Sequence, residues 1–205
     1  MNMDRLWRRK AVKSLSPRDG GAYLDICTGT GDLALAVLAR VKCRMLGMDF
    51  SRPMLDIARG KAEKRGRRLT LCEADALHLP IADASIDGAM VAFGVRNFED
   101  LDQGLGEIYR VLKPGGRAVV VELNPLKGRF FARIFNFYFR HILPRIGRIV
   151  SRSDHAYGQY LPPSVEEFPP LEEFGRRMTE AGFRLVRQRR LTGGIAGLTV
   201  ADKLG

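Results

Sequence analysis

Ala22-Tyr23-Leu24-Asp25-Ile26-Cys27-Thr28-Gly29-Thr30-Gly31-Asp32-Leu33-Ala34 sets the architecture of the chain around it. Tyr23, Leu24 and Ile26 form a short apolar, β-leaning run preceded by Gly20 and Gly21, which reads as a buried strand. Leu33 and Leu35 to Leu38 begin a helix-forming segment. A strand turning through glycines into a helix brings a loop and a helix N-terminus together. There backbone N–H groups point outward and a ligand can approach the backbone closely.

Gly29-x-Gly31-x-x-Ala34 fits the loose dinucleotide fingerprint, which alone is a weak signal. Asp25, four residues before Gly29, adds to it. The nicotinamide fingerprint has no requirement for an acid there. Asp-x-x-x-Gly-x-Gly is the pattern of S-adenosylmethionine (SAM) methyltransferases. That ligand carries a sulfonium and an ammonium instead of a pyrophosphate, so a carboxylate beside the loop attracts it. Asp25, Gly29 and Gly31 are therefore candidate cofactor residues. The plain alternative, a Gly-rich turn in any α/β protein, stays open at this point.

A chain of 205 residues is expected to be one domain. Cys27, Cys43 and Cys72 form no C-x-x-C pair and read as reduced core residues of a cytoplasmic protein. His78, His141 and His155 are scattered, so no metal is expected. No secretory leader is expected, and no apolar run reaches the roughly 18 residues of a membrane span. A net charge of +11 and a pI near 10.1 suit an anionic partner, nucleic acid or an acidic membrane face. Surface solvation is the plain alternative.

Residues 4–12 read as an amphipathic helix with Leu6, Ala11 and Leu15 inward, ending at the loop Ser16-Pro17-Arg18-Asp19-Gly20-Gly21. Arg44–Met48 is a second strand running into Asp49, about 20 residues beyond the glycine loop, where an acid meets a ribose hydroxyl in such folds. Ser51 is placed to cap the next helix, with Pro53 in its first turn. Leu69–Cys72 is a third strand, followed by Glu73-Ala74-Asp75-Ala76, whose Asp75 can accept from an adenine amino group or be a surface acid. Ile86–Ala92 is a fourth strand, ending in Phe93-Gly94-Val95-Arg96-Asn97. A helix over 101–112 ends at Lys113-Pro114-Gly115-Gly116, and Ala118–Val121 is a fifth strand. The alternation gives a doubly wound α/β sheet, with Gly29, Gly31, Asp49, Asp75 and Arg96 at strand ends, where ligands bind.

Residues 128–143 break this order. On a helix Arg129, Arg133, Asn136 and Arg140 form one polar stripe, while Phe131, Ile134, Phe135, Tyr138, Phe139 and Ile142 cover much of the rest. Such a helix suits a membrane surface or a greasy pocket; ordinary packing on the sheet is the alternative. The segment from about 126 to 170, with Tyr157, Tyr160, Leu161-Pro162-Pro163 and Phe168-Pro169-Pro170, is expected to be a substrate lid. A helix over 171–181 leads to two strands, Phe183–Leu191 and Gly194–Val200. Thr192-Gly193 joins them into a hairpin that closes the sheet edge.

Asp-Arg-Leu-Trp-Arg near the start, Thr-Gly-Thr-Gly-Asp at 28–32, Asp-Phe-Ser at 49–51, Ala-Phe-Gly-Val-Arg-Asn at 92–97, Tyr-Arg-Val-Leu-Lys-Pro-Gly-Gly at 109–116 and Leu-Thr-Gly-Gly-Ile at 191–195 together resemble one family. It is that of the ubiquinone/menaquinone biosynthesis C-methyltransferases. The resemblance implies a Rossmann-like fold with a mostly parallel seven-stranded sheet. It also implies SAM-dependent methylation of a ring carbon on a polyprenylated quinol, demethylmenaquinol to menaquinol or a ubiquinone precursor. By the same resemblance Thr30, Asp49, Asp75 and Ala76 would contact SAM. Phe93 and Tyr160 are the candidate substrate-binding residues. Relatives carry a further segment with a Tyr-Asp-x-x-Asn pattern before the Trp7 helix, and this chain is expected to lack that part of the lid. Asn124 stands where the family usually has Ser after Val-Glu-Leu.

The reaction asks for alignment and for stabilisation of a phenolate. Arg96 is the expected oxyanion partner with Asn97 orienting it; a structural ion pair is the alternative for Arg96. Two other classes stay open: a nucleic-acid or other small-molecule SAM methyltransferase, and a non-catalytic membrane-surface subunit of a quinone-making assembly. The amino-methylating nucleic-acid enzymes normally carry Asn/Asp-Pro-Pro-Tyr/Phe after the fourth strand, where Ala92–Asn97 stands, so no nucleic-acid partner is expected. Expected partners are the quinol and, by peripheral contact, the anionic inner face of a membrane. A homodimer is left open.

Overall fold

Strand β1 (Ala22–Ile26) is buried along its whole length and pairs in parallel with β2 (Arg44–Asp49) on one side and β4 (Ile86–Ala92) on the other. The computed structural model describes residues 3–125, 165 and 167–205. The chain winds outward from β1 through β2 to β3 (Thr70–Glu73), then returns to the far side of β1 as β4 and β5 (Leu112–Leu123). The seven strands lie in the order β3-β2-β1-β4-β5-β7-β6, and β7 (Ala196–Lys203) is antiparallel to both β5 and β6 (Phe183–Leu191). The order reverses between β1 and β4, and in an open sheet of this kind the ligand crevice lies beyond the strand ends at that reversal.

Helices cover both faces. α1 (Met3–Leu15) and α2 (Asp32–Leu38) pack with Met90, Val119 and Val121. α4 (Leu101–Val111) and α5 (Leu171–Glu180) pack with the alternate residues Ala89, Val91, Ala118 and Val120. Between them α3 (Arg52–Lys64) follows β2 and sends Ala62 to the α1 side. Successive residues of one strand thus serve opposite cores, the period-2 arrangement that makes a continuous valine run stable only in a doubly covered sheet. Each such side chain contributes about 1.5–3 kcal/mol by leaving water.

Four local expectations are corrected. Leu6 is exposed and Trp7 is buried, because the inward arc of α1 runs through Trp7, Ala11, Val12 and Leu15. Ser51 occupies the N-cap of α3 but its hydroxyl makes no capping bond; Asp49 Oδ1 instead accepts from Ser51 N at 2.9 Å. The Lys113–Gly116 segment lies within β5 as a bulge. Ile86 pairs with Leu112 and Gly88 with Arg117, the extra residues turning at Gly115, whose φ is +75°. The final strand begins at Ala196, not Gly194, because Thr192–Gly194 form a 3-10 turn with Gly193 at φ +66°. The segment 126–164, with the basic aromatic helix, Tyr160 and most of the lid, lies outside the described residues. Among the described residues no helix is long and apolar enough to cross a membrane.

Candidate active site

The chain leaves β1 through Cys27 with φ +53° and leaves β4 through Phe93 with φ +63°, so the two central strands both end in left-handed, non-glycine residues. Such conformations cost about 1–3 kcal/mol each and persist where the surroundings fix them. Gly94 makes the pair sterically feasible: a Cβ there would sit 2.7 Å from Cys27 Sγ. Burial pushes the Cys27 thiol up to about 12, which leaves it protonated and inert as a nucleophile.

Asp25 does not face the open side of the glycine loop. It is 1% exposed, and its Oδ2 accepts from the Thr28 hydroxyl at 2.7 Å and from Ala34 N, in the first turn of α2, at 3.0 Å. Burial pushes its carboxyl up to about 7, against the pull of those two hydrogen bonds. The structure makes it an anchor of the loop. Asp49 completes the anchoring: its Oδ2 accepts from Gly29 N at 2.8 Å while its other oxygen holds Ser51 N. The N–H groups of Gly29 and Ala34, which in a phosphate-binding loop would face the anion, are therefore both taken by carboxylates. A pyrophosphate there finds Gly29 N already bound and meets the Asp49 carboxylate, a repulsion that a cationic or neutral ligand does not meet. The Gly29 loop position (φ +54°) is open on its Cβ side, whereas a Cβ at Gly31 (φ +76°) would sit 2.9 Å from the Ala58 methyl, so only glycine fits where α2 starts against α3.

Thr30 belongs to a network the sequence did not disclose. Lys61 Nζ donates to Thr30 Oγ1 at 2.7 Å and to Asp32 Oδ1 at 3.0 Å, and Arg8 Nη1 lies 2.9 Å from Asp32 Oδ2. Burial alone would raise the Asp32 carboxyl, but Lys61 and Arg8 outweigh it and hold it below the usual range. The network ties α1 and α3 to the first turn of α2. At its other edge α1 is fastened by Trp7, whose Nε1 donates to Thr192 Oγ1 at 2.9 Å and whose ring meets Phe93 at 5.7 Å between centroids. The start of α1 therefore packs on the same strand-end pole as the glycine loop.

Arg96 sits in the 3-10 turn after β4, and its side chain is largely buried. Nη1 donates to the Phe93 carbonyl at 2.7 Å and to Glu122 Oε1 at 2.7 Å. Glu122, near the end of β5, is 3% exposed and also accepts from Leu123 N at 2.8 Å. Among the described residues Arg96 Nε is buried without an acceptor. Asn97 is exposed, and its backbone N bonds Gly94 O. Glu122 was hidden in the sequence as one polar letter within a valine-rich strand.

On the β2–β3 side, Asp75 is exposed and lies just beyond β3; the Leu77 N–H and His78 hold its carboxyl below the usual range. Ala76 is half-buried beside it. Phe50, directly after Asp49, is 74% exposed, an apolar plate beside the acids that the sequence reading passed over. A cleft of about 560 Å³ bounded by Arg18, Gly20, Asp87, Lys113 and Arg117 lies at the opposite pole, away from all these groups.

Comparison with known proteins gives the family and the fold. A family model described as the ubiE/COQ5 methyltransferase family matches residues 1–203. The chain is 46% identical over 204 residues to a protein of Deinococcus radiodurans named demethylmenaquinone methyltransferase, covering 99% of this chain and 84% of the relative. It is 43% identical over 205 residues to a ubiquinone/menaquinone biosynthesis C-methyltransferase of Geobacter sulfurreducens, covering 98% and 79%. Among solved structures, the cyclase SpnF superposes with a TM-score of 0.77 at 20% identity, covering 98% of this chain and 81% of that one. A Haemonchus contortus phosphoethanolamine N-methyltransferase 2 in complex with S-adenosyl-L-methionine superposes at 0.74 with 16% identity, covering 98% and 53%. At such identities the likeness concerns the fold.

Proposed function

The chain belongs to the ubiE/COQ5 methyltransferase family, and from that premise we propose that it transfers a methyl group from SAM to a ring carbon of a polyprenylated quinol, converting demethylmenaquinol to menaquinol. The carrying observation is the double use of carboxylates at the loop, with Asp49 on Gly29 N and Asp25 on Ala34 N. It favours a cationic donor over a dinucleotide. When bound, SAM supplies an electrophilic methyl group and leaves as the neutral thioether.

The residues present fit that donor. Gly29 and Gly31 allow close backbone approach. Asp49 keeps spare lone pairs for a ribose hydroxyl, Phe50 offers an apolar surface for a flat base, and Asp75 with Ala76, just beyond β3, is assigned to the adenine edge. Thr30 is held in place by Lys61. Asp25 acts indirectly, through the loop.

For the quinol, Arg96 supplies the fixed positive charge. A quinol that sheds its hydroxyl proton to water gains density on the adjacent ring carbon, which takes the methyl and then gives up its own hydrogen while the oxygen is reprotonated, and a guanidinium beside the oxygen stabilises the phenolate charge. Arginine does not deprotonate in a protein, so Arg96 acts as a cation and not as base. Its Nη1 is engaged by the Phe93 carbonyl and Glu122, so Arg96 acts on the quinol oxygen through its fixed charge. Glu122 holds the guanidinium in register, and Phe93 lines the approach. Asn97 and Tyr160 are retained as contributors to quinol orientation. The test is transfer of labelled methyl from SAM to demethylmenaquinol and to a demethylated ubiquinone precursor, assayed side by side. Label in the menaquinol ring supports the reading, and label in neither overturns it.

A further inference from the structure

We propose that the outward face of α1, together with the neighbouring face of β6, docks the protein on an anionic lipid surface. Arg5, Arg9 and Lys13 follow each other at intervals of four residues and are all exposed, so they share one stripe of α1. Leu6 lies beside that stripe and is 48% exposed. The β6 strand extends the patch. Arg187 Nη2 donates to Ser14 Oγ of α1 at 3.0 Å, which places this face of β6 against the helix. Arg189, two residues on, shares the face, and so does Arg184, which lies 3.7 Å from Asp202. Arg184, Arg187 and Arg189 are exposed.

Acids on this side are already engaged. Asp4 pairs with Arg8, and Asp202 is held at 2.7 Å by Arg117. The face therefore presents an excess of cations beside the exposed Leu6. Clustered Lys and Arg with an apolar residue between them suit an anionic lipid–water interface, where the charges meet headgroups and the apolar side chain enters the acyl boundary. Specific nucleic-acid binding would call for aromatic stacking platforms or a groove-reading element. Among the described residues, the exposed large apolar side chains of this patch are aliphatic.

The geometry also connects the face to the site. Trp7 is on the same helix and touches both Phe93 and Thr192, so the first turns of α1 lie at the strand-end pole. This part of the argument rests on the proposed polyprenyl substrate, whose tail partitions into a bilayer. The docking itself does not, because vesicle binding needs neither SAM nor quinol.

The experiment is sedimentation of the full chain with vesicles of phosphatidylcholine alone and of phosphatidylcholine mixed with phosphatidylglycerol, beside the triple variant Arg5→Gln/Arg9→Gln/Lys13→Gln. Glutamine is a good helix former and these side chains are exposed, so the variant keeps α1. The wild type is expected to sediment only with the anionic vesicles and to be released by added salt. The variant is expected to lose about 100-fold in partitioning, roughly fivefold for each cation removed. Its melting temperature and SAM affinity should be unchanged. A second variant, Arg184→Gln/Arg189→Gln, should lower partitioning by about 20-fold on the same basis. Equal sedimentation of wild type and both variants, no binding of wild type to anionic vesicles, or tighter binding of wild type to RNA than to those vesicles would each overturn the proposal.

Discussion

Arg96 Nη1 donates to Glu122 Oε1 at 2.7 Å, and the two side chains are buried at the ends of adjacent central strands. The pair fixes a guanidinium beneath the strand-end crevice, and it gives the structural and catalytic readings of Arg96 one geometry. Arg96→Ala is expected to abolish methyl transfer while SAM affinity stays near wild type. Arg96→Lys keeps a charge but loses the planar fork, and should fall by about 10²–10³ in kcat. Glu122→Ala, which leaves a buried cation without its counter-charge, should cost about 3–5 kcal/mol of stability. Urea unfolding and SAM titration on the three variants separate these effects.

Asp25 makes stability pH-dependent in an unusual direction. Its carboxyl is raised from 3.8 to about 7, chiefly by burial, so between those values the folded protein binds a proton that the unfolded chain does not. The stabilisation from that proton is complete below the unfolded value and is lost as pH rises through the folded one. The wild type minus Asp25→Asn difference in urea midpoint should therefore decline between about pH 4 and 7 and level off above. A difference that rises with pH over this window would show the carboxyl to be lowered, not raised.

Gly94 is required because Cys27 lies against it. Gly94→Ala places a methyl 2.7 Å from the Cys27 sulfur and should destabilise by about 1–3 kcal/mol. Cys27→Gly removes the obstructing side chain and relieves a φ of +53°. The double variant should recover much of the loss, giving a non-additive cycle by thermal unfolding. Simple additivity would place the strain elsewhere.

Trp7 is the only tryptophan, buried and hydrogen-bonded to the turn between β6 and β7. Thr192→Val removes the acceptor of the indole N–H and should cost about 1–3 kcal/mol. Because Trp7 also touches Phe93, its fluorescence should change on SAM or quinol addition in the wild type.

The core strands were legible because each carries its own signal. A valine run such as Val119–Val121 needs two covers, and Asp49 and Asp75 follow apolar runs where strands end. Hydrophobicity alone turns Leu6 inward on the first helix, while in the structure Trp7 takes that place, fixed by partners 86 and 185 residues away in the chain, Phe93 and Thr192. The Lys113–Gly116 turn was recognised, but sequence alone does not separate a helix stop from a bulge in the next strand. Asp25 and Asp49 stand out in the sequence as candidate site acids. Their bonds to Ala34 N and Gly29 N depend on how α2 and β2 pack against the loop, which no spacing reveals. Glu122 was missed for the same reason: its meaning comes from Arg96, 26 residues earlier in the chain.

The claim beneath the account is that a glycine loop whose Gly29 N–H is already bound by Asp49, with Asp25 holding Ala34 N in the helix that follows, receives a sulfonium donor and not a pyrophosphate. Calorimetric titration of the folded protein with SAM, with its demethylated product and with NAD measures this directly. Heat of binding with the first two and none with NAD is the predicted result. Clear binding of NAD with no heat from SAM or its product would contradict it.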